Sequence, residues 1–171
     1  WVLDGPDEPV TRGASPADTW RSFAIRHILL PTDFSPLARR AATVARVLAE
    51  AHQATLHVVH VLEPAAREPV LVPEGGVVLP QEDPSETAQP ALDSFVREGL
   101  ADLRTPVVAR LLLGAADLEI TRYAGEIPVD LIVIGTHGRG IMRRILLGSI
   151  SKNVLEHATC PVLMVPPAAE T

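Results

Sequence analysis

Ile28-Leu29-Leu30 and Thr55-Leu56-His57-Val58-Val59-His60-Val61-Leu62 are apolar runs of strand length, and the stretch between them carries helical rather than turn spacing. A separation of about 25 residues suits a helical crossover between parallel strands and excludes a hairpin. The second run is apolar on both faces, as a strand covered by helices on each side must be. The pattern then recurs. Val107 to Leu113 stops at Gly114, Leu131 to Ile134 stops at Gly135, and Val162 to Val165 forms the last run. Strands alternating with helices predict a doubly wound, Rossmann-like α/β domain, a five-stranded parallel sheet with helices on both faces. Such sheets bind ligands at the carboxyl ends of strands where the winding reverses.

The helices can be placed by their starts and stripes. Ser35-Pro36 offers an N-cap followed by proline at the first helical position, and Ala41, Val44, Ala45 and Leu48 recur on one face. A second helix is expected from Ser85 or Pro90 to Leu103, buried through Leu92, Phe95, Val96, Leu100 and Leu103. A third runs from Ala115 to Gly125 over Leu118 and Tyr123. A fourth runs from Ser149 to His157, with Ile150, Val154 and Ala158 inward. The domain is expected to span residues 25–167, preceded by an arm over 1–24 and followed by a tail over 168–171. Six prolines between Pro64 and Pro90 mark residues 63–90 as an insertion or long loop. Within it Val70-Leu71-Val72 and Val77-Val78-Leu79 flank Pro73-Glu74-Gly75-Gly76, so the segment is either a small β-arm or a surface loop.

The chain of 171 residues carries a net charge of −6, against the basic footprint of a general nucleic-acid binder, so an anionic ligand must be held by local geometry. One cysteine, Cys160, permits no intrachain disulfide and reads as a small buried residue. No apolar stretch approaches the roughly 20 residues of a membrane helix. The first residues, with Asp4, Asp7 and Glu8, lack the layout of a signal peptide. A cytoplasmic protein without membrane or nucleic-acid partners is expected.

Gly135-Thr136-His137-Gly138-Arg139-Gly140 follows directly on Asp130-Leu131-Ile132-Val133-Ile134, and Leu147-Gly148-Ser149 opens the next helix. A buried strand that empties into such a loop and then a helix start brings backbone N–H groups to one point, the means of holding phosphate without much side-chain charge. The alternatives are a tight connection in which glycine supplies positive φ, and a helix capped by Ser149 alone. No Gly-Lys-Ser/Thr follows, and Lys152 lies a turn into the helix, so this is not a P-loop. No nucleophile, acid–base pair or metal cluster has a spacing that names a reaction. His57 and His60, three apart on a strand, point to opposite faces and cannot share a metal.

Ile28 to Ser35, Asp130 to Gly140, Leu147-Gly148-Ser149 and Cys160-Pro161-Val162-Leu163-Met164-Val165-Pro166 together resemble the universal stress protein family, whose sheet is of the adenine nucleotide alpha hydrolase-like type. The chain satisfies in full the Gly-x2-Gly-x9-Gly-Ser/Thr signature of the ATP-binding branch. The resemblance implies that Pro31, Thr32 and Asp33 line the adenosine side, with Asp33 reaching the nucleotide or its metal, and that Val61 touches the adenine. Asp33 has a competing reading as turn chemistry. By the same likeness Gly114 lets the third main strand end near the base. Gly135, Thr136, His137, Gly138, Arg139, Gly140 and Ile141 surround ribose and phosphates, and Gly148, Ser149 and Ile150 receive the phosphates. His137 either bonds a phosphate or turns outward.

The implied ligand is ATP, or AMP or ADP, with Mg or Mn left open. The implied role is a nucleotide-dependent stress-response regulator with at most slow hydrolysis, acting as a homodimer paired through Val162 to Val165. Two other readings stand beside it. One is an adenylating or ATP-pyrophosphatase enzyme on a related sheet, although Pro31-Thr32-Asp33-Phe34-Ser35 lacks the Ser-Gly-Gly-x-Asp-Ser and His-x-Gly-His signatures of such enzymes. The other is a nucleotide-free partner-binding module.

Overall fold

A computed structural model describes residues 24–63, 70–71, 77–78, 84–136 and 147–168. In chain order the elements are β1 (His27–Pro31), α1 (Pro36–His52), β2 (Thr55–Leu62), β3 (Val70–Leu71), β4 (Val77–Val78), α2 (Pro84–Leu100), β5 (Val107–Leu113), α3 (Ala116–Glu126), β6 (Leu131–Gly135), α4 (Ser149–His157) and β7 (Val162–Val165). Five strands form one sheet in the order β5-β2-β1-β6-β7, every pairing in it parallel. The chain adds strands outward from β1 on one side, then returns to β6 on the other, so the winding reverses between β1 and β6. β3 and β4 form a separate antiparallel pair, with Val70 opposite Val78, within the proline-rich insertion.

Alternating side chains of the central strands feed two cores. Ile28, Leu30, Leu56, Val58 and Val133 face α1 and α2, whereas Leu29, Val59, Ile132 and Ile134 face α3 and α4. The inward face of α1 is all alanine: Ala38, Ala41, Ala42, Ala45 and Ala49 are buried, while Val44 and Leu48 are only partly so. These small side chains let the helix lie close against the sheet. α1 ends at Gln53, which adopts φ 55° and donates its side-chain amide to the Glu50 carbonyl at 2.8 Å. That bond offsets the cost of a left-handed turn without glycine. At the amino edge, Asp130 Oδ2 accepts from the N–H groups of Arg26 at 2.6 Å and His27 at 2.9 Å, tying the start of β1 to that of β6.

Some sequence expectations fail here. α2 takes the earlier of its two expected starts, at Pro84, and runs through Pro90 at the cost of one main-chain bond at an exposed position in its second turn, but it ends at Leu100 rather than Leu103. Leu118 is exposed, and α3 is buried instead through Ile120, Tyr123 and Ala124. Cys160 is half-buried, packed against the α3 and α4 core, where burial pushes its thiol pKa up. His57 and His60 do point to opposite faces. His57, 5% exposed, lies 3.1 Å from the Tyr123 hydroxyl through Nδ1 and 3.1 Å from His27 Nδ1 through Nε2. Burial, with His27 adding to it, holds the His57 pKa below the usual histidine value.

Candidate functional site at the carboxyl edge

Strand order places the segments that follow β1 and β6 side by side. Ile28 is level with Leu131 and Leu29 with Ile132, so the same register carried forward brings Thr32 level with Gly135. Thr32 N donates to Val59 O at 2.9 Å, which extends the β1 ladder by one residue beyond Pro31.

The chain then turns under a succession of local bonds. Thr32 Oγ1 accepts from Phe34 N at 3.0 Å, Asp33 Oδ1 from Ser35 N at 3.1 Å, and Ser35 Oγ from Ala38 N at 3.1 Å. Each small polar residue satisfies an N–H that the strand has released and the helix has not yet claimed. Ser35 is the N-cap of α1 with Pro36 at its first turn, as its sequence predicts. Both Thr32 and Ser35 are buried, and Asp33 is half-buried. The turn-chemistry reading of Asp33 is therefore realised through Oδ1.

On the β6 side, Thr136 N donates to Val165 O at 3.0 Å, and Gly148 N donates to Thr136 O at 2.8 Å. The two ends of the glycine loop thus meet at one residue. The buried Ser151 hydroxyl donates to Gly135 O at 2.8 Å and fastens the first turn of α4 to the end of β6. Gly148 is the N-cap of α4 in extended conformation and has no side chain with which to close the helix end. The reading of Ser149 as the cap is corrected, since Ser149 is the first helical residue and is exposed. Ile150 is corrected too. It is 40% exposed, and the inward face of α4 runs through Ser151, Val154 and Ala158. Asn153 Nδ2 donates to Asp117 Oδ2 at 2.6 Å, which braces α4 against α3 and holds that carboxyl below its usual pKa range. His137, Gly138, Arg139, Gly140 and Ile141 lie outside the described residues.

Val61 is half-buried near the end of β2, and Gly114 follows β5 with its N–H on Leu62 O at 3.0 Å. Gly114 adopts φ +146°, which favours glycine, and a Cβ there would also press on the Glu119 side chain, with Cγ at 2.9 Å. Pro31, Thr32, Asp33, Val61, Gly114, Gly135, Thr136, Gly148 and Ser149 therefore share the carboxyl edge. The sequence reading missed His60 and Ser151. His60 Nδ1 lies 2.7 Å from the Thr32 carbonyl, and the Phe34 ring packs on the imidazole at a centroid distance of 4.3 Å.

A doubly wound sheet whose winding reverses between β1 and β6 belongs to the class of α/β domains that bind ligands at the carboxyl ends of strands beside such a switch point. The family model that matches residues 24–166 is the universal stress protein family, and the chain belongs to that family. It is similar to a universal stress protein of Thermus aquaticus, 38% identical over 141 residues, covering 81% of this chain and 96% of that one. Among solved structures, protein MJ0577 matches with a TM-score of 0.71 at 27% identity, over 86% of this chain and 99% of that one. A universal stress protein from Archaeoglobus fulgidus in complex with dAMP shares the fold with a TM-score of 0.62 at 22% identity, covering 83% of this chain and 98% of that one.

Proposed function

We propose that the carboxyl edge binds an adenine nucleotide, and that the protein is an ATP-binding regulator of the stress response with at most slow hydrolysis. The observation that carries this reading is the adjacency of β1 and β6, which sets the Thr32-Asp33 turn and the Gly148 start of α4, held on Thr136 O, at the carboxyl ends of neighbouring strands. The sequence also holds the complete Gly135-x2-Gly138-x9-Gly148-Ser149 signature. The first-turn N–H groups and the positive end of the α4 dipole suit phosphate oxygens, and the side-chain-free Gly148 lets them approach. Thr32, Asp33, Val61 and Gly114 suit the nucleoside half. The dAMP complex of the Archaeoglobus fulgidus protein supports the choice of an adenine nucleotide.

A divalent ion fits this edge as a companion of the phosphates. Among the described residues no group of three or more His, Cys, Asp or Glu could hold a metal. Mg or Mn would then be bound chiefly through nucleotide oxygens, with Asp33 the nearby carboxylate. Its contribution would be charge neutralisation.

The reading extends to assembly. β7 is an edge strand, and Leu163 on it is 39% exposed, so pairing Val162 to Val165 antiparallel with a second copy would cover an apolar edge. We place the domain at residues 25–167, flanked by an arm and a short tail, in a cytoplasmic protein. Mass spectrometry of small molecules released from the purified protein, followed by calorimetric titration with ATP, tests the ligand. Adenine nucleotide or a saturable heat is expected, and an empty protein that also gives no heat with ATP refutes the proposal. Light scattering at micromolar concentration should report a dimer, and a monomer would refute the assembly.

A further inference from the structure

Phe34 stands in the left-handed region at φ 65°, in the turn between β1 and α1. For a bulky residue this conformation costs free energy, and it persists only where the surroundings over-determine it. Here the surroundings are specific. The Phe34 ring lies 4.3 Å from the His60 ring and 5.9 Å from the Phe95 ring, centroid to centroid. His60 also reaches the Thr32 carbonyl at 2.7 Å through Nδ1. A carbonyl only accepts, so the proton of that bond sits on Nδ1, whether or not Nε2 carries a second one. One imidazole, rooted in β2, therefore holds both the residue before Asp33 and the residue after it.

We infer that His60 is a positioning residue for nucleotide binding, acting through its hydrogen bond to the Thr32 carbonyl to keep Asp33 and the start of α1 in the binding arrangement. This inference rests on the nucleotide reading of the carboxyl edge. The three local bonds at Thr32, Asp33 and Ser35 can move as a unit with the turn, because each links residues no more than three apart. Longer-range ties anchor that unit, among them the Thr32 N–H on Val59, the His60 imidazole on Thr32 O and the packing of Phe34 on Phe95. Removing the imidazole bond leaves Phe34 with its unfavourable φ and one anchor fewer. Apparent affinity falls in proportion to the fraction of molecules that keep the competent turn.

The test exploits the geometry of the ring. The asparagine side-chain amide occupies the place of histidine Nδ1, whereas the longer glutamine places its amide near Nε2, out of line with the Thr32 carbonyl. Calorimetric titration with ATP should show His60→Asn binding within about threefold of the wild type and His60→Gln binding about tenfold more weakly, the loss expected from one structural hydrogen bond. Melting temperatures without ligand show that each variant is folded at the titration temperature. Equal affinity of His60→Gln and wild type, or equal losses in the two variants, would overturn the inference while leaving the nucleotide reading intact. Should His60→Gln not fold, a folded His60→Asn that loses tenfold overturns it alone. A wild type that does not bind ATP would instead fell the nucleotide reading, and this inference with it.

Discussion

Two helices begin at the carboxyl edge of the sheet, after the neighbouring strands β1 and β6 and on opposite faces, and they begin in opposite ways. α1 starts under its own serine, whose hydroxyl takes the Ala38 N–H, after a turn in which Thr32 and Asp33 have already taken two more. α4 starts on Gly148, whose N–H goes back to Thr136 and which has no side chain to offer. The first helix end is closed by the protein's own polar atoms. The second is fastened from behind, by Ser151 on Gly135 O, while its leading face keeps a glycine. On the proposed reading, proximity to the switch point does not by itself make a phosphate site. What distinguishes the two ends is whether the sequence spends a capping side chain there.

Substitutions can break or sharpen this contrast. Gly148→Val puts a branched side chain where phosphate would approach, and it should weaken ATP binding by more than about a hundredfold while the far-ultraviolet spectrum and melting remain those of a folded protein. Ser151→Ala removes the buried tie behind α4 and leaves the Gly135 carbonyl unmatched. Urea titration should show a loss of about 1–3 kcal/mol, accompanied by weaker ATP binding because the helix end is no longer held in place. Ser35→Ala should cost about 1 kcal/mol, the usual value of a lost N-cap, with ATP affinity changed less than by Ser151→Ala. If Ser35→Ala weakened ATP more than Gly148→Val, the two ends would have been assigned the wrong way round.

A fourth expectation concerns acid. The buried His57 has a folded-state pKa below its ordinary value of 6.5, so the unfolded chain takes up a proton more readily than the native one. Stability is therefore full above that ordinary value and is lost as pH falls below it toward the depressed value. Urea midpoints measured on either side should fall on the acid side, and His57→Gln should flatten that dependence. An unchanged slope in the variant would remove His57 as its source.

The strands and the order of elements were legible in the chain because parallel strands are near-continuous apolar runs, and four of the five end at or directly before Gly or Pro. The bounds of β2, β5, β7 and α4 coincide with the expected ones. The neighbourhood of β1 and β6 comes from the strand order of the structure. What escaped the reading has a common physical cause, dependence on a remote main-chain partner. Ser151 is buried because a carbonyl across the loop accepts its hydroxyl, so an apolarity pattern put Ile150 inward in its place. His60 holds a carbonyl from another strand, which no spacing along β2 reveals. Leu118 sits in the first turn of α3 near the sheet rim, where an apolar residue is tolerated in water. Pro90 left the start of α2 open between Ser85 and Pro90, and the helix takes the earlier start, at Pro84, carrying Pro90 at the loss of one bond.

The contrast between the two helix ends can be measured amide by amide. Hydrogen exchange followed by NMR, with and without saturating ATP, should show added protection at Ser149 and Ile150 in the first turn of α4. Ala38, already bonded to Ser35 Oγ, should change little. Protection that appears at Ala38 and leaves Ser149 and Ile150 unchanged would contradict the account.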